Sequence, residues 1–116
     1  MPRTRRVPLN VQTSVVLDGS GNGTAFLGPR IGQKWNVTNA AVLVPNAVKV
    51  PQASWYAGGQ PIPGNFVDGT FTGNLDATGR ISNFSITSGN YVFAVWTGGD
   101  PGATATLSIL GIMTYG

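Results

Sequence analysis

Few side chains in this sequence could carry covalent chemistry. The 116 residues include no His and no Cys, and the acidic residues are four Asp (Asp18, Asp68, Asp76 and Asp100) with no Glu. A Ser or Thr nucleophile therefore lacks an imidazole base. Disulfides, thiolate zinc sites and cysteine nucleophiles are excluded by composition. Paired carboxylates for general acid–base work could come only from the four Asp. Each of these lies in or beside a Gly-containing turn, where an Asp side chain normally caps nearby backbone. Lys34 and Lys49 read as exposed strand lysines, not Schiff-base formers. The chain is therefore expected not to be an enzyme and to need no cofactor and no metal.

Two patterns come closest to ligand sites. Asp18-Gly-Ser20-Gly-Asn22-Gly23 sets oxygen ligands at alternate positions, as in the first half of an EF-hand loop. The closing bidentate Glu is missing, because Pro29 stands at the twelfth position. The segment reads instead as a glycine-rich hairpin turn. It is no phosphate loop either, since no Lys-Ser/Thr comes after it. The aromatics Trp35, Trp55, Tyr56 and Trp96 could form a platform for sugar, although such residues at alternating strand positions more often serve core or interface. Trp55, Tyr56 and Trp96 are the candidate contacts to another subunit or to glycan.

The charge is uneven. Arg3, Arg5 and Arg6 fall in the first six residues, while Arg30, Lys34, Lys49 and Arg80 balance the four Asp. The net +3 thus belongs to the N-terminal segment. Pro2 and Pro8 favour an extended backbone there. Residues 1–10 are expected to form an extended basic arm that binds a partner through Arg3, Arg5 and Arg6. Three arginines without interleaved aromatics make only a weak, salt-sensitive phosphate contact, so no dedicated nucleic-acid site is expected. No apolar run is long enough for a membrane-spanning helix. The segment after the arginines is broken by Asn10, Gln12, Thr13 and Ser14 and does not read as a cleaved secretion signal. Charged residues make up 9% of the chain, against about a quarter in ordinary globular proteins. That deficit points to a surface that faces other protein.

The elements that must position these residues are strands. Val, Thr, Ile and aromatics recur between glycines, and no stretch carries apolar residues at helical spacing. Residues 11–17 alternate, with Val11, Thr13, Val15 and Leu17 on one face. Residues 24–27 begin a return strand. Residues 34–44 form a long strand with Trp35, Val37, Ala41 and Leu43 facing one way, ended by Pro45. Residues 52–57 place Trp55 and Tyr56 on opposite faces. Residues 70–75 and 81–87 flank a hairpin turn at 76–79. Residues 91–97 are apolar on both faces, as in a strand central to the sheet or covered by a neighbouring subunit. Residues 103–110 alternate cleanly, and 112–115 end the chain. The expected fold is all-β: a two-sheet antiparallel sandwich, jelly-roll or Greek-key like, over residues 11–116, preceded by the extended arm.

The stretch Tyr91-Val-Phe-Ala-Val-Trp-Thr-Gly-Gly-Asp-Pro-Gly-Ala-Thr-Ala-Thr-Leu-Ser-Ile, with Gly111 after it, resembles the C-terminal part of small virion-associated structural proteins of tailed actinobacteriophages. Gly28-Pro to Trp35-Asn-Val-Thr and Val67-Asp-Gly-Thr-Phe-Thr-Gly-Asn-Leu-Asp are similar to the same group. The resemblance covers about Gly28 to Gly111 and rests on turns and strand faces. It implies a virion protein on the phage head surface or in the tail, with no active-site residue to carry over. The leading expectation is a decoration or minor capsid protein that stabilises the head by binding the major capsid protein and copies of itself. The alternative is a minor tail or receptor-binding module that recognises cell-surface carbohydrate.

Overall fold

The computed structural model describes residues 5–70, 72–80 and 84–115. They form β1 (Arg5–Val16), β2 (Gly23–Leu27), β3 (Gln33–Leu43), β4 (Gln52–Gly58), β5 (Phe66–Gly69), β6 (Leu75–Thr78), β7 (Phe84–Thr87), β8 (Tyr91–Thr97) and β9 (Thr104–Tyr115). A single 3-10 turn, Pro63–Asn65, precedes β5. One sheet runs β1-β9-β3, with β6 and β7 in succession along the far edge of β3; the other runs β2-β8-β4-β5. Every pairing is antiparallel. The pairs are nested: β1 with β9, β2 with β8, β3 with β6 and β7, β4 with β5. A chain that pairs from its ends inward and rolls into two facing sheets is a jelly roll, here with β6 and β7 as one interrupted strand. The all-β two-sheet sandwich expected from the sequence is the observed fold.

The core fills the space between the sheets. Trp35, Val37, Val42, Leu107 and Ile109 come from the first sheet, and Trp55, Val92 and Trp96 from the second. Ala40, Ala53, Ala57, Ala94 and Ala105 are buried with them. Small residues beside three indoles let the layer interdigitate at normal packing density.

Three features depart from the expectations above. First, β1 starts at Arg5, not at residue 11. It pairs with β9 without interruption from Arg5↔Tyr115 to Val16↔Thr104. The alternation of Val7, Leu9 and Val11 carries the inward face back to the start of the strand, and Leu9 is fully in the core. Residues 5–10, expected as an arm outside the sandwich, are therefore its first half-strand. Arg3 lies outside the described residues. Second, β3 carries a register shift against β9 between Val37 and Asn39. Such a bulge reverses the face of every residue beyond it. Trp35 and Val37 point inward, then Ala40 and Val42 do, and Leu43 is exposed where alternation from Trp35 put it inside. Gly111 of β9 stands opposite Val37, and a Cβ there would collide with the backbone of Asn36 and Val37. Third, the strand expected over 70–75 is absent at 70 and 72–74 (residue 71 lies outside the described residues), and the turn expected over 76–79 lies mostly in β6, Leu75–Thr78. The chain crosses between sheets after β5 and joins the edge of β3 as β6. The crossing is held by Thr70, whose hydroxyl accepts from the Ala53 amide at 2.9 Å, and by the Gly73 amide, which donates to the Pro51 carbonyl at 2.7 Å.

Candidate interaction surface

The sequence-derived candidates scatter. Trp55 and Trp96 are 1% and 0% exposed. They are neither subunit-interface nor glycan contacts; they are core. Their strands place them on the inward face, and both indoles are enclosed between the sheets. The Trp96 Nε1–H donates to the Gly73 carbonyl at 3.0 Å, whereas the buried Trp55 Nε1–H has no partner. Tyr56 lies on the opposite face of β4 and is half-buried. Arg5 and Arg6 are exposed at the start of β1.

The four Asp do structural work at four separate places. Asp18 Oδ1 accepts from the amides of Ser20 (2.8 Å) and Asn22 (3.0 Å). The Asn22 amide first, and the Ser20 amide second, hold its carboxyl below the ordinary aspartate range. This is the hairpin-turn use of the glycine-rich segment. Asp100 does not cap its own turn; it accepts from Val48 (2.7 Å) and Lys49 (3.0 Å) and pins the loop between β3 and β4. Asp68 and Asp76 sit in strands β5 and β6, not in turns. Asp68 accepts from the Thr78 hydroxyl at 2.7 Å and lies 3.8 Å from the Arg80 guanidinium. Asp76 accepts from the next amide, that of Ala77. Among the described residues no three acidic side chains come together.

The most distinctive surface is an aromatic row on the outer face of the second sheet. Register sets Phe26 of β2 opposite Phe93 of β8, Phe93 opposite Tyr56 of β4, and Tyr56 opposite Phe66 of β5. One aromatic thus comes from every strand of that sheet. The end members Phe26 and Phe66 are each 53% exposed, while Phe93 is shielded between its neighbours. Tyr91, two residues before Phe93, packs on Phe26 with centroids 5.3 Å apart and planes at 78°. Tyr56 and Phe66 meet at 5.8 Å and 77°. The adjoining row, Thr24, Val95, Ser54 and Gly69, holds no charge. The sequence showed the second apolar face of residues 91–97. It did not show that three neighbouring strands extend it, because only register aligns them.

Two further features border the sandwich. A groove of ≈ 340 Å³ opens between β1 and the segment after β2, lined by Leu9, Val11, Leu27, Arg30, Trp35 and Met113 among others. The outer face of the first sheet is mixed: Ser14 and Thr106 hydroxyls lie 2.8 Å apart across β1 and β9, Arg6 and Lys34 are exposed, and Val16, Leu43, Leu75 and Leu110 are exposed among them. No helix among the described residues is long and apolar enough to cross a membrane. Neither protein-family models nor curated proteins return a match to the chain.

Proposed function

We propose that this chain is a structural protein of a phage virion. It binds the outside of the head as a decoration or minor capsid protein and stabilises the shell, and its partners there are the major capsid protein and copies of itself. The observation that carries this reading is the aromatic row Phe26–Phe93–Tyr56–Phe66 on an uncharged sheet face. Full burial of a Phe side chain is worth about 1.5–3 kcal/mol, and Phe26 and Phe66 keep roughly half of that available for a partner. The family resemblance from Gly28 to Gly111 supports the virion, as does the low charge of the chain. Jelly rolls occur in both viral capsid and lectin domains, so the fold alone is neutral between protein and sugar. The ring geometry favours protein. Rings that meet edge to face present no coplanar platform for a pyranose, and Trp55 and Trp96 cannot be reached.

The test is co-sedimentation of the purified chain with capsids that lack it, together with a cryo-EM map of the intact particle. The wild-type chain is expected to sediment with capsids, and Phe26→Ser with Phe66→Ser to abolish this while leaving the far-UV circular dichroism unchanged. Equal sedimentation of wild type and variant would overturn the role of the row. Copies located only on the tail would overturn the head assignment and favour the minor tail or receptor-binding alternative.

A further inference from the structure

The outer edge of β1 is unusually unguarded. The Leu17 amide donates to the Ala103 carbonyl at 2.8 Å, and the Gly102 amide donates to the Leu17 carbonyl at 2.9 Å. Leu17 therefore turns its backbone groups toward β9. Backbone direction alternates along a strand, so the odd-numbered residues of β1 serve β9. Pro8, Asn10, Gln12, Ser14 and Val16 then direct their backbone groups away from the sheet. Among the described residues β9 is the strand that pairs with β1, and these outward groups make no backbone hydrogen bond. Natural edges are blunted by charged side chains, bulges, short length or proline. This edge runs through the whole of Arg5–Val16, pairs with β9 without a register shift, and has no charge from Val7 to Leu17. Its guards are Pro8 and the exposed Arg5 and Arg6, all near one end.

We propose that two copies of this chain join antiparallel through their β1 edges, about a two-fold axis that sets Gln12 opposite Gln12. The choice of partner and register comes from charge. With Gln12 on the axis the shared ladder runs from Pro8 to Val16 of each copy. Beyond it the Asp18 backbone is held by its own turn (Asp18 N–H to the Asn22 carbonyl at 2.9 Å), and the Arg6 side chain of each copy comes beside the Asp18 carboxylate of the other, at both ends of the joint. Asp18 uses Oδ1 for its own turn, which leaves Oδ2 to an incoming guanidinium. A shift of one step either way sets Arg6 opposite Val16, or Pro8 opposite Asp18, and loses both ion pairs. In the chosen register Asn10 faces Ser14 across the joint, and these exposed amide and hydroxyl side chains can hydrogen-bond. On the inner face Leu9 continues beside Val15, and Val11 beside Thr13. A strand edge paired to its own copy is isologous, so the assembly closes at two. The inference rests on the assembly role proposed above in one respect only: it names a second copy as one partner. It does not depend on the capsid.

Sedimentation equilibrium of the full chain reads the mass directly. The expected result is a species of twice 12.0 kDa. Gln12→Lys places two ammonium groups face to face on the axis. It also removes the long 3.5 Å acceptor of the exposed Ser108 hydroxyl, so it is expected to weaken the dimer by about tenfold or more while lowering the melting temperature of the monomer only slightly. The chain has no Cys, so a single introduced thiol reports register. Gln12→Cys is expected to form a disulfide-linked dimer under mild oxidation, since a hydrogen-bonded antiparallel pair holds its Cα atoms about 5.5 Å apart, within disulfide range. Ser14→Cys, displaced from the axis, is expected not to. A monomer at concentrations of about 100 μM, a dimer indifferent to Gln12→Lys, or equal cross-linking at both positions would overturn the proposal. A monomer that still binds capsids sinks the dimer alone; a β1-linked dimer that binds none sinks the capsid reading alone.

Discussion

Trp55 and Trp96 form a matched pair whose substitution tests the reading of both as core. Each is fully buried, and each becomes Phe by loss of the same part of the indole. The lost contacts are equivalent to two or three methylenes at about 0.8 kcal/mol each, or about 2 kcal/mol at either site. The polar consequences are opposite. Trp96→Phe removes the donor to the buried Gly73 carbonyl and leaves it unpaired, a further loss of about 1–3 kcal/mol. Trp55→Phe removes an N–H that has no acceptor, and so relieves a penalty of the same kind. Trp96→Phe is therefore expected to destabilise by about 3–5 kcal/mol, against the 5–15 kcal/mol typical of a whole domain. Trp55→Phe is expected to cost at least about 2 kcal/mol less. Urea unfolding monitored by far-UV circular dichroism measures both, with the slope m unchanged. Equal midpoints, or a lower midpoint for Trp55→Phe, would refute the hydrogen-bond assignment. Trp55→Ala would lose about 3–5 kcal/mol of stability, so lost glycan binding in that variant would report unfolding, not a lost contact.

Asp100→Ala removes the acceptor for two amides of the loop between β3 and β4 and is expected to destabilise by about 1–3 kcal/mol, with faster hydrogen exchange at Val48 and Lys49 than elsewhere. The folded-state pKa of Asp18 is depressed by the Asn22 and Ser20 amides, so its stabilisation is complete above the unfolded pKa near about 4 and is lost as pH falls through the lower folded value. The melting temperature is therefore expected to be flat from neutral pH into mild acid and to fall below about pH 4, less steeply in Asp18→Asn, where part of that linkage is gone. Gly111→Ala drives a Cβ into the backbone of Asn36 and Val37 at the β3 bulge and is expected to cost about 1–3 kcal/mol by thermal melting, whereas Gly79→Ala, with only the far end of the Asn39 side chain near, is expected to cost far less.

The parts of the fold governed by period-two alternation were legible in the sequence. Residues 11–17, 52–57, 91–97 and 103–110 show their two faces by alternation alone, and the structure places them so. What escaped depends on partners remote in sequence. The bulge after Val37 exists because β3 must match β9, and nothing local to Trp35–Leu43 announces it. The segment after β5 looked like strand, turn and strand because Thr and Phe favour extended backbone and Asp76-Ala-Thr-Gly79 looks like a turn. It crosses between sheets because Thr70 and Gly73 find hydrogen bonds on residues 51–53. The indoles looked like a site because sequence gives alternation without saying which face is covered. The row that replaced them was hidden for the same reason: Phe26, Tyr56, Phe66 and Phe93 are spread over most of the chain, and only register brings them into line.

Scarcity of charge does not make the two broad faces of this sandwich alike. The first sheet turns a mixture outward: exposed Val16, Leu43, Leu75 and Leu110 alternate in register with polar neighbours, as Leu43 with Thr106 and Leu110 with Asn10, and Arg6 and Lys34 add charge. No register row there is aromatic or carries an apolar residue on every strand. The second sheet turns Phe26 and Phe66 outward and gains from being covered. The two proposed contacts also lie in different directions, one normal to the sheets and one along the β1 edge, so one copy can make both. Antiparallel pairing of β1 with itself continues one sheet across a two-fold axis normal to it, because odd residues meet odd and even meet even. Both second sheets then lie on the same side of the dimer, and both aromatic rows face the same way. Such a dimer meets a flat, repetitive surface with two rows at once, and the second row binds at an effective concentration fixed by the first. Edge and face then act together. A monomeric variant such as Gln12→Lys is expected to lose far more apparent affinity for a repetitive shell than for a single isolated shell subunit, and equal losses on the two targets would separate the edge from the face.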